Sequence, residues 1–424
     1  MTMKYCCFLL LVLCQLDESS AFISSSYNYQ RNPIHRQGPL FERYGEDYNH
    51  GYNGYPTDHN DLTLSRYTTS TSSGIHSTSL AQQDDTATIL GDKYILKDEG
   101  TVSPSGKSTL VKATTIKRNE PSGESDYSSP QSHLHHDAET ERQRVLIKFS
   151  ENIQALKREA DNYERVASSS TNSRDLFVRV HDFYEPHDDT RRHHGDGYDN
   201  GQESVGRQAA LVMERGSQDL RDYLKQHGPL RGDALRKAVV STAHTLKAYH
   251  DQDMVWTELK SRNFVVVGNE NKQSHNSNSN DLDGKSIKAI DLESAVPKGE
   301  PPIDWSPEAI PPEFATPFLC GQEKGQRMEK HFDIFSLGLL WYELATARGY
   351  WKNHFDEETP CHVRIATELR ATDSMCLDHE EAQQIDPPLK DLIAQCLRIE
   401  PAERPTVNEI LNHPYLANAA IKYP

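Results

Sequence analysis

The stretch Ile334-Phe335-Ser336-Leu337-Gly338-Leu339-Leu340-Trp341-Tyr342-Glu343-Leu344 is apolar almost all the way round a helix. A helix with no face to offer water has to run through the middle of a domain. Upstream, Leu235, Val239, Thr242, Leu246 and Tyr249 recur at i, i+4, i+7, i+11 and i+14, one stripe of an amphipathic helix. Strand-like runs come earlier, over Val145–Phe149, Phe177–Phe183 and Ala209–Glu214, with a helical pattern over Glu151–Val166. Strands first and helices after is the order of an α+β chain, a small sheet-rich lobe followed by a larger helical one.

Apolar periodicity is confined to Tyr94–Leu416, which places one domain over residues 91–418, interrupted by polar inserts at 117–142, 186–207 and 268–285. Residues 22–90, rich in Tyr, Asn, Ser, Thr, Gly and His, cannot offset their ordering entropy and are expected to be transit-like or disordered. The hydrophobic content of 35%, low for a wholly globular chain, agrees. Lys4, the apolar run Phe8–Leu13 and the small residues Ser19-Ser20-Ala21 have the three-part pattern of a signal peptide over residues 1–21. After Ala21 no acidic residue occurs before Glu42, and the Ser-Ala-Phe join resembles the bipartite presequence of complex plastids. Entry into the secretory pathway is therefore expected, with a plastid or secretion as the two destinations. No apolar run approaches the roughly 20 residues that span a bilayer, so no transmembrane segment is expected in the mature chain.

Sixty-three acidic against 46 basic residues give a net charge of −17, which excludes a general binder of phosphate backbones and hence a nucleic-acid partner. Beyond the leader, Cys320, Cys361, Cys376 and Cys396 are too few and too widely spaced for a disulfide scaffold. Cys396 lies in an apolar run and reads as a buried thiol, while a redox role for Cys361 and Cys376 stays open. His135-His136 and His193-His194 stand in polar inserts without a matched carboxylate or cysteine frame, as solvated loops do.

Gly106-Lys107-Ser108 ends like a Walker A motif, but five residues separate Gly100 from Gly106 where the motif has four. After the strand Tyr94-Ile95-Leu96, this stretch reads better as a degraded glycine-rich hairpin over phosphates, with Val111 and Ala113 on its return strand. Several further motifs follow in order. Val145-Leu146-Ile147-Lys148 resembles the Val-Ala-Ile-Lys strand of eukaryotic-type protein kinases, with Glu159 as the helix partner of Lys148. Leu211-Val212-Met213-Glu214 is similar to that family's hinge. Trp256-Thr257-Glu258-Leu259-Lys260-Ser261-Arg262-Asn263 is similar to its His-Arg-Asp-Leu-x-x-x-Asn loop, and Asp291-Leu292-Glu293 to its Asp-Phe-Gly segment. Glu313 in Pro311-Pro312-Glu313 resembles the Ala-Pro-Glu acid twenty-two residues beyond Asp291, in preference to Glu308, and Arg404 matches its arginine partner. Asp333 opens a segment matching the family's central buried helix.

The resemblance covers roughly Lys93–Leu416 and implies a bilobal kinase-like fold binding ATP and magnesium. It places Lys148 on the α- and β-phosphates with Glu159 as its helix partner in the cofactor site, Met213 at the back of the adenine pocket, and the backbones of Glu214 and Gly216 facing the base. Asn263 and Asp291 would hold the metal, Glu258 would act as catalytic base, and Lys260 as the phosphate-contacting lysine of serine/threonine kinases. The expectation is a divergent, slow serine/threonine protein kinase, monomeric, with an unspecified protein substrate. The alternative is a pseudokinase that binds partners. Trp256, Thr257, Glu258 and Glu293 depart from the pattern. Glu258 keeps the carboxylate but moves it by about an ångström, and Thr257 lacks the arginine charge that meets a phosphorylated activation segment. Glu293 adds a negative charge that either binds a cation or repels phosphate.

Overall fold

The computed structural model describes residues 89–97, 100–103, 106–116, 143–168, 173–186, 208–268, 282, 285–355 and 362–417. The leader at 1–21, the segment up to residue 88, both histidine pairs, Cys361 and most of the three inserts lie outside these residues.

Seven strands form one antiparallel sheet: β1 (Ile89–Leu90), β2 (Tyr94–Leu96), β3 (Thr101–Val102), β4 (Thr109–Thr115), β5 (Arg144–Ser150), β6 (Val180–Tyr184) and β7 (Ala209–Glu214). Their order is β1-β2-β4-β5-β7-β6, with β3 pairing β4 as the hairpin partner. Alternation along β5 sends Val145 and Ile147 into a small core with Tyr94, Ala113, Ala210 and Val212. Leu146 and Lys148 therefore share the opposite face, and Lys148 stands opposite Leu110 on one side and Leu211 on the other. A register slip of one residue would turn Lys148 away, so this small apolar core fixes where the cation points.

Helix α1 (Ile153–Ala167) starts where Asn152 accepts a hydrogen bond from the Ala155 amide at 3.0 Å. It buries Leu156, Glu159, Asn162, Tyr163 and Val166, so a glutamate and an asparagine share its inward stripe with apolar groups. The strand expected over Phe177–Phe183 is shorter. Ser173–Leu176 form a single 3-10 turn, Phe177 makes one parallel bridge to Ala289, and pairing in the sheet begins only at Val180. The apolar side chains of Phe177 and Val178 are spent on the helical lobe's core, where the Val178 amide also bonds the Ala289 carbonyl.

After β7 the chain is mainly helical: α2 (Leu220–His227), α3 (Gly232–Asp251), α4 (Pro312–Leu319), α5 (Lys330–Thr346), α6 (Tyr350–Phe355), α7 (His362–Ala371), α8 (Pro387–Cys396), α9 (Val407–Leu411) and α10 (Pro414–Ala417). Short strands β8 (Gln218–Asp219), β10 (Phe264–Gly268) and β11 (Lys285–Ala289) make a second small sheet, and β9 (Met254–Val255) pairs with β12 (Val296–Pro297). Helix α5 carries the all-round apolar stretch and runs buried through this lobe, where the Trp341 indole donates to Thr242 Oγ1 of α3 at 2.9 Å. Gly338 lets α5 and α8 pack closely, since a Cβ there would sit 2.9 Å from Cys396 Cβ of α8. Cys396 is fully buried, and burial pushes its thiol far above the reactive range. Leu282, inside the third polar insert, is 1% exposed and returns the chain to the core ahead of β11. The architecture is the α+β, two-lobed arrangement expected from the order of strands and helices.

Candidate active site

Three elements distant in sequence bring their ionisable groups to one point. Lys148 Nζ on β5 donates to Glu159 Oε2 of α1 at 2.8 Å and to Asp291 Oδ1, just past β11, at 2.9 Å. It also reaches Glu293 Oε2 at 3.4 Å. Lys148 is 7% exposed. Burial would lower its pKa, but the charges of Glu159, Asp291 and Glu293 hold it well above the usual lysine range, so it stays a cation. Burial pushes the Glu159 carboxyl up to about 7 against the pull of Lys148. Asp291, for which burial acts upward, is nonetheless held below the usual carboxylate range by the charge and hydrogen bond of Lys148, with Lys260 and Lys107 adding to it.

The loop that carries Asp291 is held in a strained conformation. Its φ is +63°, a left-handed value costing a non-glycine residue roughly 1–3 kcal/mol. Two groups hold it: the Asp291 amide donates to Tyr163 Oη at 3.2 Å, and the Asp291 carbonyl accepts from Trp256 Nε1 at 3.3 Å. Trp256, a departure from the motif, thus supplies a donor to the residue that the motif requires. Helix α1 fastens the following residues, through Asn162 Nδ2 to the Leu292 carbonyl (2.8 Å) and Arg158 Nε to the Glu293 carbonyl (2.9 Å). Tyr163, Asn162 and Arg158 were not legible as site residues; their signal was the polar minority on the α1 stripe.

Beneath lies the loop Trp256–Asn263. Asp333, at the start of α5 and fully buried, accepts from the Trp256 amide (2.8 Å), the Thr257 amide (3.1 Å) and His250 Nε2 (3.2 Å). That grip holds Thr257, a β-branched residue, at φ +57°. The Thr257 hydroxyl lies within hydrogen-bond distance of the Asp304 and Ser294 carbonyls, 2.7 and 3.3 Å away, so hydroxyl contacts tie this loop to the stretch from Ser294 to Asp304. Glu258, 8% exposed, pairs through Oε1 with Lys260 at 2.8 Å. Burial pushes its carboxyl up, with Lys260 opposing. Asn263 Nδ2 donates to the Glu258 carbonyl at 3.0 Å, and its own carbonyl accepts from the Ile290 amide at 2.9 Å, which sets Asn263 beside Asp291 at one end of the β10–β11 ladder.

On the sheet side, Met213 is 4% exposed in the main core. The Glu214 carboxylate pairs with Lys288 at 2.8 Å, and its amide donates to the Arg179 carbonyl at 2.7 Å. Gly216 passes so close to β10 that a Cβ would lie 2.7 Å from Val265 Cβ.

Glu159, Asp291 and Glu293 each place a carboxylate oxygen within 4.8 Å of the others. Lys148 lies among all three and Lys107 lies 3.7 Å from Glu293 Oε1, so the acidic groups outnumber the cations at this point when all are ionised. Asp291 and the side-chain oxygen of Asn263 are hard oxygen donors of the kind magnesium takes. The residues present therefore fit a magnesium nucleotide, with Lys148 for its phosphates.

The family model for the protein kinase domain matches residues 139–416. The chain belongs to the protein kinase family. The match starts after the hairpin of β3 and β4. Curated relatives of this kinase domain include Mitogen-activated protein kinase kinase kinase 17 of Arabidopsis thaliana, 27% identical over 173 residues, 40% of this chain and 39% of the relative. Dual specificity protein kinase Ttk of Danio rerio is 24% identical over 209 residues, 49% of this chain and 19% of the relative. Serine/threonine-protein kinase unc-51 of Caenorhabditis elegans is 24% identical over 221 residues, 50% and 23% respectively. The chain thus spans well under two thirds of the length of these relatives. Among the described residues no helix is long and apolar enough to cross a membrane.

Proposed function

We propose that this kinase domain transfers the terminal phosphate of ATP to serine or threonine hydroxyls of a protein. The observation that carries the reading is the convergence of Lys148, Glu159 and Asp291, at 2.8 and 2.9 Å, from three separate elements. Phosphoryl transfer asks a protein chiefly for position and charge, which is what such a cluster supplies. Asp291 and Asn263 would hold magnesium and Lys148 would meet the phosphates. When bound, the metal neutralises charge developing on the phosphate oxygens. Glu258 takes the proton of the attacking hydroxyl, and its burial, by pushing its carboxyl up, makes it a stronger base than an exposed glutamate. Lys260 at 2.8 Å keeps that carboxylate oriented and favours a serine/threonine substrate by its place two residues after the acid.

The second reading is a pseudokinase that binds partners without turnover. It is favoured by one contact, the Glu293 carboxylate 3.4 Å from Lys148 Nζ, on the ammonium that phosphate would use.

Transfer of labelled phosphate from magnesium ATP to a generic basic protein separates the two. The kinase reading expects transfer by the unaltered chain and a fall of about 10²-fold or more in Glu258→Ala. Equal transfer by both proteins removes Glu258 as base, and no transfer by either leaves the pseudokinase.

A further inference from the structure

Helix α6 is short and dense in rings, Tyr350-Trp351-Lys352-Asn353-His354-Phe355. His354 meets His379, which stands just ahead of the 3-10 turn Glu381–Gln384; the ring centres are 5.9 Å apart and the planes nearly perpendicular, at 88°. Aromatic neighbours fix both imidazoles. Tyr350 stacks on His354 at 5.7 Å and meets His379 edge-on at 5.6 Å. Trp351 and Phe355 stand edge-on against His354 at 5.9 and 4.8 Å. What this packing leaves over is polar. His354 Nδ1 and His379 Nε2 are buried with no hydrogen-bond partner among the described residues, and so is Oδ1 of the adjacent Asn353. Buried polar atoms of this kind are few in a folded chain, and three in one short region call for a ligand.

The other nitrogen of His354 is committed, because Nε2 lies 3.4 Å from Glu368 Oε1 of α7. In the neutral ring, a proton given to that carboxylate leaves the lone pair on Nδ1, the buried atom. Burial holds His379 below the usual histidine range, with the charge of His354 adding to it and Glu381 and Asp378 opposing, so that ring stays neutral as well. No acceptor fixes a proton on its Nε2, which leaves that atom able to present its lone pair. A histidine with a carboxylate behind one nitrogen and an open lone pair on the other is the arrangement of a metal ligand. The spacing agrees. With Zn–N of about 2.0–2.1 Å, two imidazoles on one zinc have ring centres roughly 5–6 Å apart. The carboxylates of Glu368, Asp378 and Glu381 around the pair favour a cation. Among the described residues no third histidine, cysteine or acid completes a group within 4.8 Å, so water fills the rest of the shell.

We propose that His354 Nδ1 and His379 Nε2 together bind a divalent transition-metal ion of the zinc class, with Glu368 orienting His354. The site shares no residue with the Lys148–Asp291 cluster and uses nitrogen donors where that cluster offers oxygen. The ion pins α6 to the stretch ahead of α8. Because the Trp351 indole donates to the Glu308 carbonyl at 3.0 Å, it also steadies the chain that leads into α4.

The test is calorimetric titration of the full chain with zinc chloride, after chelator treatment and dialysis, alongside His354→Gln, His379→Gln, Glu368→Gln, Cys376→Ser and Asp291→Asn, each checked for folding by circular dichroism. Either histidine variant is expected to lose the site, and Glu368→Gln to weaken it about tenfold or more, as removal of a carboxylate behind a ligating histidine does. Cys376→Ser, at an exposed thiol, and Asp291→Asn, at the other cluster, are expected to keep it. Magnesium chloride in place of zinc is expected not to bind there, since that ion takes oxygen donors. No zinc binding by the unaltered chain, or equal binding by both histidine variants, overturns the proposal. So does a site that vanishes in Cys376→Ser or in Asp291→Asn, because the ion then sits on other ligands. Should a histidine variant not fold, Glu368→Gln carries the test, its carboxylate being 43% exposed, and an unchanged zinc affinity in it overturns the site.

Discussion

Arg404 donates from both terminal nitrogens to the two carboxylate oxygens of Glu313, at 2.7 and 2.6 Å, across 91 positions of sequence. The fork also serves the His331 and Ile399 carbonyls, and the Arg404 side chain is wholly buried. Removing Arg404 leaves those two carbonyls without their donor and Glu313, 35% exposed and open to water, without its partner, which costs about 1–3 kcal/mol. Arg404→Ala should lose that much unfolding free energy in urea, seen as a lowered midpoint, and Arg404→Lys less, because a lysine keeps the charge but not the fork. An unchanged midpoint in Arg404→Ala contradicts the assignment.

Gly338→Ala should destabilise although alanine is the better helix former. The propensity gain is about 1 kcal/mol. Against it stands a Cβ placed 2.9 Å from both Cys396 Cβ and Leu397 Cδ2, inside contact distance on a packed helix face. Overpacking of that kind costs about 1–3 kcal/mol. Urea unfolding decides, and a raised midpoint would mean that α5 and α8 separate more easily than their packing implies.

Trp256→Phe should keep the fold and weaken the site. The ring still stacks on Tyr249, whose centroid is 5.0 Å away, so the loss of stability stays near 1 kcal/mol, the worth of one hydrogen bond. The Asp291 carbonyl, however, loses its donor, and the strained Asp291 backbone loses one of its two restraints. Weaker magnesium ATP binding at nearly unchanged melting temperature is expected. Equal loss of both properties points to a packing role only.

Glu258 must be ionised to accept a proton, so activity rises with pH through its pKa. Burial places that pKa above the ordinary glutamate value, and Lys260 opposes the rise. The acid limb of kcat/KM should therefore lie above that of an exposed carboxylate. In Lys260→Met the opposing charge is gone, and the limb should move to higher pH. A limb that moves to lower pH, or does not move, excludes Glu258 as the titrating base.

Much of the fold was legible because it follows from periodicity. The all-round apolar run at Ile334–Leu344 is a buried helix, and the alternation in Val145–Phe149 is a strand that fixes the facing of Lys148. Phe177–Phe183 misled because its apolar residues serve the other lobe's core, which periodicity within one segment cannot register. At the site, motif spacing pointed to Asp291 and Asn263, which the fold sets side by side at the end of the β10–β11 ladder. It missed those chosen by geometry. Tyr163, Asn162 and Arg158 restrain the Asp291–Ala295 stretch from a helix 130 residues earlier in sequence, and only the folded chain brings them there. The sequence also left the role of Glu293 undecided, because its bridging between Lys107 and Lys148 is a relation among three side chains.

The central claim is that the Lys148–Asp291 cluster binds magnesium ATP, and thermal unfolding with and without that ligand tests it most directly. At a hundredfold excess over Kd the account predicts about 2.7 kcal/mol of stabilisation, seen as a raised Tm in the unaltered chain and absent in Asp291→Asn. An unaltered chain whose Tm does not respond, or an Asp291→Asn variant that responds equally, contradicts it.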